Sequence, residues 1–208
     1  VVAIDLSDPE SPKALYEEMV SRGVEVESLI NNAGFGSLGP FHESAIERQL
    51  EMVRLNVGAL THLTHLFLQP MLARRRGRIL NVASTAGLQP GPWMAVYYAT
   101  KAYVVSFSEA IAEELRGTGV TVTAFLPGPT RTEFQSRADM EGSGLTRLGM
   151  ADARSVAEAG YRAMEAGRTL SIPGWTNRAL AFSVRFGPRA LVRRVVQRLN
   201  RGNRLATR

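Results

Sequence analysis

The sequence predicts an α/β fold organised on a doubly wound parallel sheet, and three observations carry that expectation. Short apolar, β-branched runs alternate with longer stretches of helical period along most of the 208 residues, which is the pattern of repeated βα units. The run at 78–83 (Arg-Ile-Leu-Asn-Val-Ala) passes into Ser84 and a Gly/Pro-rich loop, and the run at 120–126 passes into Pro127-Gly128-Pro129-Thr130. In open α/β sheets, ligands collect at such carboxyl edges of the strands.

Taken in order, residues 1–6 (Val-Val-Ala-Ile-Asp-Leu) read as a buried strand. Ser11-Pro12 then supplies an N-cap and a proline at the first helical position. The helix they start carries Leu15, Tyr16, Met19 and Val20 on one face and stops at Gly23. Residues 28–31 form a second strand ending in Asn31-Asn32-Ala33-Gly34-Phe35-Gly36. Ser44 with Glu47 predicts a capping box for a long helix to about residue 73, with Asn56 in its middle and Pro70 late in it. The strand into Ser84 is followed by a helix from about Tyr97 to Arg116, and residues 120–126 form a further strand. The polar, Gly-containing stretch 131–149 reads as a mobile loop. Asp152 is placed to cap a helix to Ala166, residues 169–173 form a short strand, and residues 178–200 read as one basic amphipathic helix with Leu180, Val184, Leu191, Val195 and Leu199 near one side. The expected division is a catalytic and substrate portion over 1–176 and a basic helical tail over 177–208.

Bulk properties limit the function classes. Hydrophobic residues make up 45% and charged residues 21%, ordinary for a globular chain, and no run is apolar enough for a membrane span. With no Cys, thiolate metal sites and disulfides drop out, and a reducing, cytoplasmic setting fits. The net charge of +6 resides in the tail: residues 178–208 hold nine Arg and no acid, so the rest nets 6 − 9 = −3. That tail fits a solvated basic helix, then a peripheral contact with anionic lipid. Nucleic acid is not expected, because no stacking pattern accompanies the charge. His62 and His65 lack a carboxylate at matching spacing, so no metal site is expected. Ala83-Ser84-Thr85-Ala86-Gly87 lacks the first glycine of a nucleophile elbow.

The chemistry concentrates between Ser84 and Lys101. Tyr97 and Lys101 lie four apart and share a helix face, and the loop after Ser84 can fold back over the helix start. A phenol titrates near pH 10, and a neighbouring ammonium lowers that value, so Lys101 is expected to make Tyr97 an acid/base group. Ser84 would donate to a substrate oxygen. Tyr98 competes for the role of the phenol but lies only three residues before Lys101.

These marks resemble the short-chain dehydrogenase/reductase family. Four stand in that family's order: Asn31-Asn32-Ala33-Gly34 after a strand, Asn56 in the long helix, Ser84 thirteen residues before Tyr97 with Lys101 beyond it, and Pro127-Gly128 followed by Thr132. Asp5-Leu6 matches the pair that contacts the adenine ring. The resemblance covers about residues 1–172 and implies a Rossmann-like sheet lacking the family's first two βα units, on the order of 50–60 residues. Those units carry the glycine-rich turn that holds the pyrophosphate, so the chain is expected to be a piece of a longer protein. Alone, it is expected to be poorly stable, with the 1–6 strand left about 14 Å from its nearest partner.

What the resemblance implies is an oxidoreductase that interconverts a carbonyl and a secondary alcohol with NADP (alternatively NAD). In it Tyr97 is the acid/base group and Lys101 also holds the nicotinamide ribose. Asn56 locally opens its helix around a proton-relaying water. Asn31, Ala33, Gly34, Pro127, Gly128, Thr130 and Thr132 line the cofactor. Leu88, Met94, Phe134 and Met140 are the expected substrate lining, which favours an apolar carbonyl compound. A homodimer or homotetramer through the two long helices is expected. The alternative is a truncated, non-catalytic relative acting as an assembly or membrane-surface module.

Overall fold

The computed structural model describes residues 1–134, 138 and 150–201. The expected loop at 131–149 therefore falls largely outside the described residues, and Met140 with it. Four parallel strands form the sheet: β1 (Ser28–Asn31), β2 (Gly77–Val82), β3 (Val120–Phe125) and a last strand, β6 (Leu170–Ser171), in the order β1-β2-β3-β6. Helix α1 (Ser11–Ser21) precedes β1, and between the strands run α2 (Ile46–Val53), α3 (Leu60–Ala73), α4 (Ala95–Glu114) and α5 (Ala153–Glu165). Beyond β6 come α6 (Trp175–Phe186) and α7 (Arg189–Arg201).

Strand period explains the layers. With Ile79 opposite Val122 and Asn81 opposite Ala124, one sheet face presents these residues to α3 and α4, where Ile79 and Val122 pack with Leu63, Phe67, Met71 and Leu115. The alternate residues Leu80 and Phe125 face the other way and pack with Met164 and Val156 of α5. Helices on both faces are what a parallel sheet requires. Ile30 of β1 shares the α5 side of the sheet with Leu80 but is left 49% exposed. Within the α3/α4 side, Asn31 Nδ2 donates to Thr64 Oγ1 (3.0 Å) and Asn81 Oδ1 (2.8 Å), and Asn81 Nδ2 donates to Ser108 Oγ (2.9 Å). This buried chain of side chains ties β1, β2, α3 and α4 together, and each member has its partner.

The long helix expected to about residue 73 is present as α2, a π-helical turn at Arg54–Ala59 and α3 in succession. The π turn surrounds Asn56, where the resemblance implied a local opening. Asp152 caps α5 as expected, accepting from Ser155 N at 2.9 Å.

Five local expectations are corrected. Residues 1–6 form no strand: among the described residues no strand lies beside them to supply hydrogen bonds, and Leu6 packs instead with Leu15, Tyr16 and Met19 of α1 against Phe67. Ser11 lies inside α1, whose N-cap is Glu10. Ser44 makes no capping box, because its hydroxyl donates to Phe41 O (2.7 Å) and closes a preceding 3-10 turn, which leaves Ala45 as N-cap. The single basic helix is two, broken at Gly187-Pro188. Proline has no N–H to continue the ladder and holds its predecessor extended, as Gly187 is at φ −73°, ψ 140°. The face of these helices that packs inward is not the expected one either: Ala181, Val196 and Asn200 are buried, whereas Leu180, Leu191 and Val195 are exposed. Two further strands, β4 (Thr130–Arg131) and β5 (Ala151–Asp152), pair in parallel as a separate two-stranded sheet and were not expected.

Candidate active site

The carboxyl edge of β2 sets the first group. The chain continues beyond Val82 in step with β3, with Ala83 N donating to Phe125 O (2.8 Å) and Thr85 N to Pro127 O (3.0 Å). Ser84 is thereby fixed in extended backbone and caps a 3-10 turn at Thr85–Leu88, its Oγ accepting from Ala86 N at 3.1 Å. The turn packs on α4, whose first two turns carry Tyr97 and Lys101. The Ser84 hydroxyl donates to Pro127 O (3.4 Å) and lies beside the Tyr97 phenol, on which it has a lowering influence. Lys101 Nζ donates to the carbonyl of Val82 (2.7 Å) and lies 5.9 Å from the centre of the Tyr97 ring. The three groups expected to meet do so at one strand end.

Asn56 stands behind them. Its carboxamide exchanges two bonds with Phe35, accepting from the N–H (3.1 Å) and donating to the carbonyl (2.9 Å), and donates to Thr100 Oγ1 (3.2 Å). It thus pins the turn after β1 to α4. The turn comes so close that a Cβ on Gly34 would sit 2.8 Å from Asn56 Oδ1 and 3.7 Å from Lys101 Nζ. Only glycine fits there.

Burial governs the electrostatics. It pushes the Tyr97 phenol up to about 12, against the lowering influence of Ser84 and with a smaller push from Tyr98. The expected lowering of Tyr97 is therefore corrected: loss of water around the phenol raises it. The Lys101 ammonium is itself buried, which brings it down to about 8. Tyr97 is thus neutral and Lys101 largely charged at pH 7.

These groups open into a cavity of about 670 Å³. Of the expected residues, Gly34, Ser84, Met94, Tyr97, Lys101, Pro127, Gly128, Thr130, Thr132 and Phe134 line it. Phe134 leans on the Tyr97 ring at 5.3 Å. Asn31 braces the strands and Ala33 is exposed, and neither lines the cavity. Leu88 is corrected from substrate lining to core, packing beside Leu60, Val104 and Leu126. Asp5 and Leu6 are also away from the cavity. The Asp5 carboxylate is exposed and accepts from Ser7 N (2.9 Å) and Ser7 Oγ (2.8 Å), bonds that lower its pKa, and Leu6 is in the core.

Sequence reasoning missed Asn32, Gln89, Met150 and Tyr161 as lining, while Tyr98 packs in the core and lines the cavity as well. Asn32 had a signal in its turn. Tyr161 had none, because α5 reaches the cavity only through the folding of the sheet.

A buried ammonium, two hydroxyls and a Gly/Pro turn converging at one end of an apolar cavity fit the nicotinamide and ribose end of a dinucleotide. The adenine pair, being elsewhere, does not contribute to that fit.

Comparison with known proteins gives the same direction. The sequence model of the family described as short chain dehydrogenase matches residues 1–141. An uncharacterized oxidoreductase, YvrD, of Bacillus subtilis is 40% identical over 131 residues, 63% of this chain and 49% of that protein. The NADP-dependent 3-hydroxy acid dehydrogenase YdfG of Salmonella typhi is 38% identical over 143 residues, 64% of this chain and 58% of that protein. The chain thus spans about half the length of these curated relatives. Among solved structures, a short-chain dehydrogenase from Sphingobium yanoikuyae in complex with NADPH superposes with a TM-score of 0.77 at 28% identity, covering 90% of this chain and 72% of that one.

Proposed function

The chain belongs to the short-chain dehydrogenase family, and from that premise we propose that it is the catalytic and substrate portion of an NADP-dependent oxidoreductase interconverting a carbonyl and a secondary alcohol. The observation that carries the reading is the meeting of Tyr97, Ser84 and Lys101 in one cavity at the carboxyl edge of β2. The nicotinamide, when bound, supplies or takes the hydride. The chain's own residues do the rest. Ser84 donates to the carbonyl oxygen, where negative charge develops in reduction. Tyr97, neutral at physiological pH, gives its proton to that oxygen. Lys101, held by Val82 O, provides the positive charge that stabilises the phenolate left behind and would hold the ribose hydroxyls. Asn56 keeps the Gly34 turn and α4 in register beneath them.

NADP is favoured over NAD by the NADP-dependent relative. The apolar lining, Met94 and Phe134 above all, favours a hydrophobic ketone over a charged one. A panel of acyl and alicyclic ketones with NADPH or NADH tests the reading, and loss of reduced cofactor with formation of the alcohol is the expected result. No turnover across the panel, with cofactor bound, counts against it.

Two partner readings accompany it. Leu50 and Val53 on α2 and Tyr103 on α4 are exposed, which supports self-association through those helices as a homodimer or homotetramer. Among the described residues no helix is long and apolar enough to cross a membrane. Yet Trp175, Phe182 and Phe186 are 80%, 63% and 74% exposed along one stripe of α6, beside the Arg-rich α7. An aromatic stripe next to arginines without acids fits the surface of an anionic bilayer and supports a cytoplasmic, membrane-peripheral protein. Sedimentation with phosphatidylserine vesicles is expected, weakened by salt and lost in a triple Trp175→Ala, Phe182→Ala, Phe186→Ala variant. Equal sedimentation with neutral vesicles, or none with either, would remove the reading.

A further inference from the structure

The segment just before the catalytic helix, residues 91–94, is held in a conformation the sequence does not favour. Trp93 has φ +73°, rare for a bulky side chain, and such backbone persists only where its surroundings over-determine it. Gly39 N donates to Trp93 O at 2.8 Å. The second hold comes from the far end of the chain. Asn200 of α7 is fully buried, and its Nδ2 donates to Pro92 O at 2.8 Å while its Oδ1 accepts from Tyr98 OH at 3.3 Å. A carbonyl only accepts, so the orientation of the carboxamide is fixed by chemistry. The guanidinium of Arg201 also lies 5.0 Å from the Trp93 ring centre.

The held segment shapes the cavity. Met94 is its last residue, the N-cap of α4, and a buried cavity wall three residues before Tyr97. Gly91 lies so close over Tyr98 that a Cβ there would fall 2.1 Å from the ring. One carboxamide thus joins α7, the strained segment and the first turn of α4.

We propose that Asn200 is a positioning residue: by bonding Pro92 and Tyr98 together it holds residues 91–94 and so sets the Met94 wall against which the ketone is oriented. The proposal rests on the carbonyl-reduction reading for its kinetic consequence and on geometry alone for its structural one. Asn200 touches neither substrate nor reacting atoms. Its loss should therefore appear in KM for the ketone more than in kcat.

The test uses two variants, Asn200→Ala and Asn200→Asp. The second keeps size and the acceptor for Tyr98 but, once ionised, offers Pro92 O no donor. Each is expected to raise KM for the ketone about tenfold with kcat within about threefold. In Asn200→Asp the KM should return toward the parent value as pH falls, because the protonated carboxyl regains a donor. An independent readout needs no turnover. With Trp175→Phe as background, Trp93 is the single tryptophan, and both variants should shift its emission to the red and increase its quenching by acrylamide. Unchanged Trp93 emission in both variants overturns the proposal, as does a fall in kcat at constant KM. A parent protein without turnover would sink the oxidoreductase reading, while the Trp93 signal would still decide whether Asn200 holds the segment.

Discussion

Replacing Tyr97 with Phe is expected to lower turnover by about 10³-fold while leaving nicotinamide cofactor affinity within about twofold. The ring survives the change, so its contact with Phe134 and its place in the apolar cluster around Met94 persist. What disappears is the phenol hydroxyl beside the Ser84 side chain. Because burial keeps that phenol neutral up to about pH 12, it would serve reduction as the protonated donor. Oxidation needs its phenolate and should therefore be the slower direction at neutral pH. Steady-state kinetics in both directions, with cofactor titration by fluorescence, check this. Turnover within tenfold of the parent would remove Tyr97 from the acid/base role.

Lys101→Met is expected to abolish turnover and, at the same time, to raise the melting temperature at pH 7. Burial brings the ammonium down to about 8 from the ordinary 10.5, so keeping it charged at pH 7 costs the fold on the order of 3 kcal/mol. Loss of the bond to Val82 O returns about 1–2 kcal/mol of that. The net gain, about 1–2 kcal/mol, corresponds to roughly 2–8 °C. The sign with pH follows from the lowered value: the folded state releases its proton near 8, the unfolded state near 10.5. The penalty is present in full below pH 8 and is relieved as pH rises toward 10.5. The Tm difference between variant and parent should shrink accordingly between pH 8 and 10. The same proton should govern activity, with reduction falling as pH rises through about 8. A lower Tm for Lys101→Met at pH 7 would mean that the lysine stabilises the fold and is not held there for function.

Much of this was written in the sequence. The alternation of β-branched runs with helical stretches gave β1, β2 and β3, and Ser84, Tyr97 and Lys101 declared themselves by spacing on a strand end and a helix face. The failures share a cause: each depended on partners distant in sequence. Residues 1–6 have a strand's composition, but pairing needs a neighbour, and Leu6 found the core instead. Ser44 had the right spacing for a capping box, but its hydroxyl was taken by Phe41 O. The phenol of Tyr97 was expected to be lowered by the charge one turn away, a local argument, whereas burial is set by the whole fold and pushed it the other way. Asn200 lies 102 residues from Tyr98, beyond any local pattern. The break at Gly187-Pro188 is the exception, a local signal overridden by the appeal of one continuous basic stripe.

Transfer of label from nicotinamide to product tests the central claim most directly. With NADPH deuterated at the transferring C4 position and an alicyclic ketone, the alcohol should carry one deuterium at its carbinol carbon. The label should appear with the parent protein and fall about 10³-fold with Tyr97→Phe. Alcohol formed without deuterium, or equally labelled alcohol from the Tyr97→Phe variant, would contradict the account.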